Sequence, residues 1–335
     1  MKYSSLAAAP RGRRACLLAA VSIYACCHGS LAGAQTAGDY PARPIRMVVS
    51  FGAGGPADAM ARIIAKKMEE GLNTPIVVDN KAGAGGLVAA QEVARSKPDG
   101  YTVLYTAGSS YTISPTLMPK ANVDMARDFI PVSYGHRQAM VLAVNEQLPV
   151  RTLGELVAYA KNQPINYASP GAGALPHLMA EMLKQKLGFQ ATHVPYKSGA
   201  DMQRALIGAE VQFALDAVSS TIGNVKAGRI RVLAVADKKR ISSLADVPTF
   251  AESGVTGMEI YSWGALLVPA GTPQAVVNKL HAAVAAAQKD PELITRMTTF
   301  NAEPYPSSSK QVMEETAAET AVWARLIREL GLAEK

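Results

Sequence analysis

The chain has 335 residues, is 49% hydrophobic and 18% charged, and carries a formal charge of +7. Cys16, Cys26 and Cys27 are its only cysteines, so a chain cut after Ala34 holds no thiol, and cysteine catalysis and thiolate metal sites are excluded. Removing that segment also takes away Lys2, Arg11, Arg13 and Arg14 with no acid before Asp39, leaving 7 − 4 = +3, a mildly basic balance that does not argue for nucleic acid.

Residues 1–34 read as a secretory signal: a basic n-region, an apolar run from Ala15 to Ala25 too short to span a bilayer, and an A-x-A cleavage site at Ala32-Gly33-Ala34. The expected location is the periplasm, with the mature chain starting near Gln35. Lipid anchoring at Cys26 is a second reading, disfavoured by Tyr24, where such a site wants a small residue. No later apolar stretch is long enough to cross a membrane.

From Tyr40 onward strands and helices alternate. Ile45 to Ser50 is a strand, and Met60, Ile63, Ile64, Met68 and Leu72 repeat at helical spacing. Strands follow at 75–79 and 101–105, with a helix over 86–95 between them, which indicates a parallel sheet flanked by helices. After Phe129-Ile-Pro-Val and the strand Met140 to Val144, the capping box Thr152-x-x-Glu155 opens a new unit that repeats the alternation: strands at 165–169, 191–195, 211–216 and 230–235, with helices over 178–187 and around 201–207. A further strand covers Tyr261 to Val268, and Thr272-Pro273 and Asp290-Pro291 each read as an N-cap followed by proline at the first helical position. The last helix, from about Ser308, carries Val322, Trp323, Leu326, Ile327 and Leu330 on one stripe and is expected to return to the first lobe.

Two stretches are near copies: Ser50-Phe-Gly-Ala-Gly-Gly-Pro-Ala-Asp-Ala-Met60 and Ser169-Pro-Gly-Ala-Gly-Ala-Leu-Pro-His-Leu-Met179. Each is a strand, a glycine-rich turn and a helix start, a geometry in which free backbone N–H groups point at a guest in the turn. The favoured guest is an anion. Taken alone, Gly52-x-Gly54-x-x-Ala57 with Asp79 after the next strand also meets the dinucleotide-binding fingerprint, so an exported NAD-dependent oxidoreductase is the rival reading, and a ligand-free tight turn is a third. The second copy and the export signal weigh against both. No metalloprotease or nucleophile-elbow motif is present, His136, His177, His193 and His281 are scattered over different elements, and no cofactor is expected.

The ordered set Tyr40-Pro-x-Arg-Pro-Ile45, Gly54-Gly-x-x-Asp58-x-x-Ala-Arg62, Ala82-Gly-Ala-Gly-Gly86, Pro98-Asp-Gly-Tyr101, Asp128-Phe-Ile-Pro131, Tyr167-Ala-Ser-Pro-Gly171, His177-Leu178, Val194-Pro-Tyr-Lys197, Asp246-Val-Pro-Thr249 and Pro269-Ala-Gly-Thr-Pro273 resembles the Bug-type periplasmic solute-binding proteins of tripartite tricarboxylate transporter systems. The resemblance covers essentially the whole mature chain. It implies a type II periplasmic binding protein fold of two α/β lobes, 39–141 plus 265–335 and 142–264, joined by two crossing strands. It also implies a monomeric, non-enzymatic receptor that closes over a small organic carboxylate or its amide and passes it to membrane permease subunits, or that signals to a sensor kinase. By position, Gly52, Ala53, Gly54, Gly55 and Asp58 form the first jaw, with Asp58 orienting the helix start. Ser169, Gly171, Gly173, Ala174 and His177 form the second, and Ser110, Tyr111 and Asp216 complete the wall.

Departures from the family pattern are Ala53 for proline, Ala57 for a hydroxyl residue, Ala174 for serine, and Asp201, Met202, Ala205 and Ala209 in a drifting stretch. Loss of two hydroxyls from facing jaws removes two hydrogen bonds of about 0.5 to 1.5 kcal/mol each. A less polar or larger ligand than a plain dicarboxylate is the expectation.

Overall fold

The computed structural model describes Met1 and residues 40–334; residues 2–39, which hold the expected signal and all three cysteines, lie outside the described residues. Pro41–Lys335 forms one compact unit. Its first half runs β1 (Ile45–Val49), α1 (Pro56–Leu72), β2 (Ile76–Asn80), α2 (Leu87–Ala94), β3 (Thr102–Ala107), α3 (Gly108–Thr112), α4 (Ser114–Leu117), α5 (Met125–Asp128) and β4 (Phe129–Asn145). Then follow α6 (Leu153–Asn162), β5 (Asn166–Ser169), α7 (Leu175–Leu187), β6 (Thr192–Pro195), α8 (Gly199–Ile207), β7 (Phe213–Ala217), α9 (Val218–Lys226) and β8 (Ile230–Ala236). The chain closes with β9 (Tyr261–Pro269), α10 (Gln274–Ala287), α11 (Pro291–Thr299), β10 (Glu303–Pro304) and α12 (Ser309–Glu329).

The strands lie in the order β2-β1-β3-β9-β4-β7-β5-β6, with β8 and β10 also on β4. This order is a palindrome. β1 pairs in parallel with β2 and β3, β5 pairs in parallel with β6 and β7, and the antiparallel pair β4 and β9 stands between the two sets. Met47, Val48 and Val49 are wholly buried because helices cover both faces of a parallel sheet. The fold is thus two βαβαβ lobes of one design sharing crossing strands.

Three local readings change. The segments at 129 and 140 are one 17-residue strand; Pro131 is tolerated because the register shifts between Pro131 and Ser133, where a missing N–H costs no ladder bond. Thr272 does not cap the following helix: Pro273 occupies the cap position and the Thr272 hydroxyl donates to the Pro269 carbonyl at 2.7 Å. Asp290 and Thr152 do cap theirs, but the Glu155 carboxylate accepts from Arg151 N. The last helix serves both halves. Val312 packs with Tyr134, Trp263 and Leu267, whereas Trp323, Leu326 and Ile327 pack with Leu178, Met179 and Leu183 of α7. Its stripe is long enough to cover both cores, so α12 spans them rather than returning to the first alone.

Candidate functional site

The two glycine stretches form the same local structure at the same spacing. After β1, Gly54 N donates to Asp58 Oδ2 at 2.9 Å; after β5, Gly173 N donates to His177 Nδ1 at 2.8 Å. In both, a glycine at positive φ, +81° for Gly54 and +77° for Gly173, hands its N–H to the side chain four residues on. Asp58 is further held by Arg62 Nε at 2.9 Å, and Arg62 reaches Asn80 Oδ1, whose amide donates to Phe51 O. Burial raises the Asp58 carboxyl, but Arg62, Gly54 and Asn80 together hold it below its ordinary value. Asp58 therefore fixes the loop.

His177 is fixed from the far side. Its ring stacks on His193, whose Nε2 lies 2.6 Å from Ser169 Oγ, and His193 stacks on Tyr167. Burial holds both imidazoles below their ordinary value, His193 at about 4, so His177 is neutral and its Nδ1 accepts from Gly173. Ser169 is buried and shared between Gly171 and His193. Ser169 and His177 brace the second jaw from behind.

The helices that begin at the jaws carry no side-chain cap. Gly55 and Ala174 occupy the N-cap positions of α1 and α7, and Ala107 and Ala217 those of α3 and α9, none with a side chain that can accept. Of the helices that start elsewhere, those after Thr152, Ser198, Asp290 and Ser308 are capped by these side chains, while α2 after Gly86 and α10 after Pro273 are not. At the jaws the first-turn N–H groups are left for another acceptor.

The jaws open into two cavities rather than one. Gly54, Gly55 and Met60 face Gln138 of β4, Ser219 and Phe300 across a cavity of about 230 Å³. Ala174 and Pro176 face Ser109, Asp216, Trp263 and Glu319 across one of about 240 Å³. Each cavity sets a jaw of one lobe against a strand end of the other, and the facing strand ends are themselves repeats: Ala107-Gly-Ser-Ser110 after β3 and Ala217-Val-Ser-Ser220 after β7. Ser219 and Ser220 were missed from sequence, although this second short repeat was the signal. The Ser219 hydroxyl is buried without a hydrogen-bond partner.

Among the expected wall residues, Asp216 lies in the second cavity, its carboxylate accepting from Gln203 Nε2 and Ala217 N, each at 2.8 Å. Gly52 and Ala53 are exposed at the tip of the first jaw. Ser110 does not face either cavity: it is 1% exposed and packed on Gly86, where a Cβ would lie 2.2 Å from its Oγ. Tyr111 is also displaced, its ring buried in the first core against Trp263. α3 turns both residues inward. Asp79, the ribose partner of the dinucleotide reading, is engaged by Arg46 Nε at 2.9 Å. Glu319 of α12 was not anticipated; it accepts from Trp263 Nε1, Trp323 Nε1 and Thr112 Oγ1.

Among the described residues, no helix is long and apolar enough to cross a membrane, and no group of three or more metal-ligating side chains occurs. The tripartite tricarboxylate transporter family receptor pattern matches residues 60–332. A UPF0065 protein of Bordetella bronchiseptica is 34% identical over 287 residues, 86% of this chain and 83% of that one. The structure of the periplasmic binding protein BugD is 33% identical, with 88% of this chain and 100% of that chain covered and a TM-score of 0.73. Rpa4515 of R. palustris, solved with adipate, is 34% identical, with 88% and 99% covered and a TM-score of 0.77.

Proposed function

Because the chain belongs to the tripartite tricarboxylate transporter receptor family, whose members are solute-binding receptors, we propose that it is exported to the periplasm, captures a small organic carboxylate between its lobes, and delivers it to membrane permease subunits without chemical change. The lobes are 39–141 plus 265–335 and 142–264, with α12 laid across both. The ligand sits where the jaws meet the crossing strands, outside the carboxyl ends of the parallel strands, the usual place for a guest in such sheets.

The observation that carries this reading is the set of uncapped helix starts around the cleft, at Gly55, Ala107, Ala174 and Ala217, in walls that contain no lysine, arginine or histidine. Backbone N–H groups, the Ser219 and Ser220 hydroxyls and the Gln138 amide are the donors on offer, and they suit a carboxylate oxygen. Adipate in the relative Rpa4515 supports the same ligand class here.

Thermal unfolding with millimolar small carboxylates, amides, amino acids and NAD tests the proposal. A ligand at 100 times its dissociation constant adds about 2.7 kcal/mol. Stabilisation by acids and not by NAD is expected; stabilisation by NAD alone would overturn it.

A further inference from the structure

The two cavities are electrostatically unlike. The one under the first jaw has no ionisable side chain in its wall; Gln138, Ser219 and Ser220 supply its polar side-chain groups. The one under the second jaw has two acids, Asp216 and Glu319, and no cation. A ligand spanning both meets a neutral end, with the Gly55 helix start and the Gln138, Ser219 and Ser220 side chains, and an acidic end.

The two acids are not equivalent. Glu319 has three donors, the two indoles at 2.8 and 3.0 Å and the Thr112 hydroxyl at 3.0 Å, so at most one of its acceptor positions is open. Asp216 is not filled. An ionised carboxylate offers about four acceptor positions, and two of those on Asp216 are taken, by Gln203 and Ala217. Thr221 spends its hydroxyl on the Ala217 carbonyl, and the Tyr261 hydroxyl in the same cavity wall donates to Asp237. Asp216 is 9% exposed, and burial lifts its carboxyl to about 6, so it is ionised at neutral pH with no counter-ion.

The cavities are also offset by a defined step. Gln138 lines the first and Met140, two residues along β4, lines the second. Two residues of strand span about 7 Å, the reach of roughly a four- to five-carbon chain.

Resting on the carboxylate-receptor reading, we propose that the receptor selects a ligand with one carboxylate and, at its other end, an uncharged or cationic N–H donor that Asp216 accepts. An ω-amino acid or an ω-carboxamide of four or five carbons has this form; a dicarboxylate of equal length does not, because its second carboxylate would face a buried acid without a cation.

Calorimetric titration of the exported protein at pH 7.5 with 4-aminobutanoate, 5-aminopentanoate and glutaramate, each against succinate, glutarate and adipate, decides the matter. The donor-ended ligands should bind at least tenfold tighter than diacids of matching length, and Asp216→Asn should reduce that ratio at least tenfold. Amine preference over amide identifies the end group as ammonium; the reverse identifies it as amide. Equal or tighter diacid binding in the unaltered protein overturns this inference and leaves the receptor reading standing, whether or not the variant folds. No binding by any acid in the panel overturns both.

Discussion

The imidazole rings of His177 and His193 are stacked with centroids 3.9 Å apart and planes 9° from parallel. Their neutrality holds the second jaw together, since a protonated His177 Nδ1 cannot accept from Gly173 N. Around the pair lie Glu181, which favours protonation, Lys184, which opposes it, and the Tyr167 ring, whose hydroxyl donates to Glu181. Both histidines are held below 6.5 by burial, so the stability they contribute is present above pH 6.5 and lost as pH falls below it, for His193 through about 4. In the Asp216→Asn background, which removes an opposing titration over the same range, unfolding temperature should be flat above pH 6.5 and drop below it, with roughly 1 to 2 kcal/mol from His193 once its partial exposure is allowed for. His193→Gln in that background should flatten the profile. Amide exchange at Gly173, accelerating over the same range, locates the effect.

Asp58 anchors the first jaw as His177 anchors the second. Asp58→Ala removes the acceptor of Gly54 N and the partner of Arg62 and should cost about 1 to 3 kcal/mol, together with most of the ligand-induced thermal shift. Asp58→Asn keeps an oxygen for Gly54 and should retain that shift. Loss of the shift in both variants would show that the charge itself meets the ligand.

Alanine at the two equivalent glycines should give unequal results. At Gly54 the new Cβ meets nothing within 4 Å, so only the positive φ is penalised, by about 1 to 2 kcal/mol. At Gly173 the same backbone penalty is joined by a clash, with the Cβ 2.6 Å from Leu117 Cδ1. Urea unfolding should rank Gly173→Ala as clearly the less stable.

The chain has two tryptophans, and both donate to Glu319. Glu319→Ala leaves two buried indole N–H groups and a hydroxyl without their acceptor, at about 1 to 3 kcal/mol for each group that stays dry. Intrinsic fluorescence is the direct reading: emission should shift to the red in this variant as water reaches Trp263 and Trp323, now 5% and 1% exposed.

Asp216 is held against stability. Its carboxyl is raised from 3.8 to about 6, so its favourable contribution is full below 3.8 and lost as pH rises through 6. The loss amounts to roughly 3 kcal/mol. Asp216→Asn should therefore unfold at a higher temperature than the unaltered protein at pH 8 and at nearly the same temperature at pH 4. A strained group at a site of function fits this pattern.

The sequence alone was enough for the alternating βαβ units and the duplicated glycine turns. These rest on period, turn chemistry and spacing within a few residues, which are local. The resemblance misled at Ser110 and Tyr111, because β3 runs two residues past its expected end at Tyr105 and α3 turns both residues into the core. Tertiary structure decided the rest. Only the palindromic sheet order sets each jaw against a strand end of the other lobe, dividing the cleft into a neutral and an acidic half. Only the length of α12, packed on both cores, brings Glu319 beside Trp263 from 56 residues away. Contacts across such separations depend on which surfaces are buried together, and no window of sequence contains both partners.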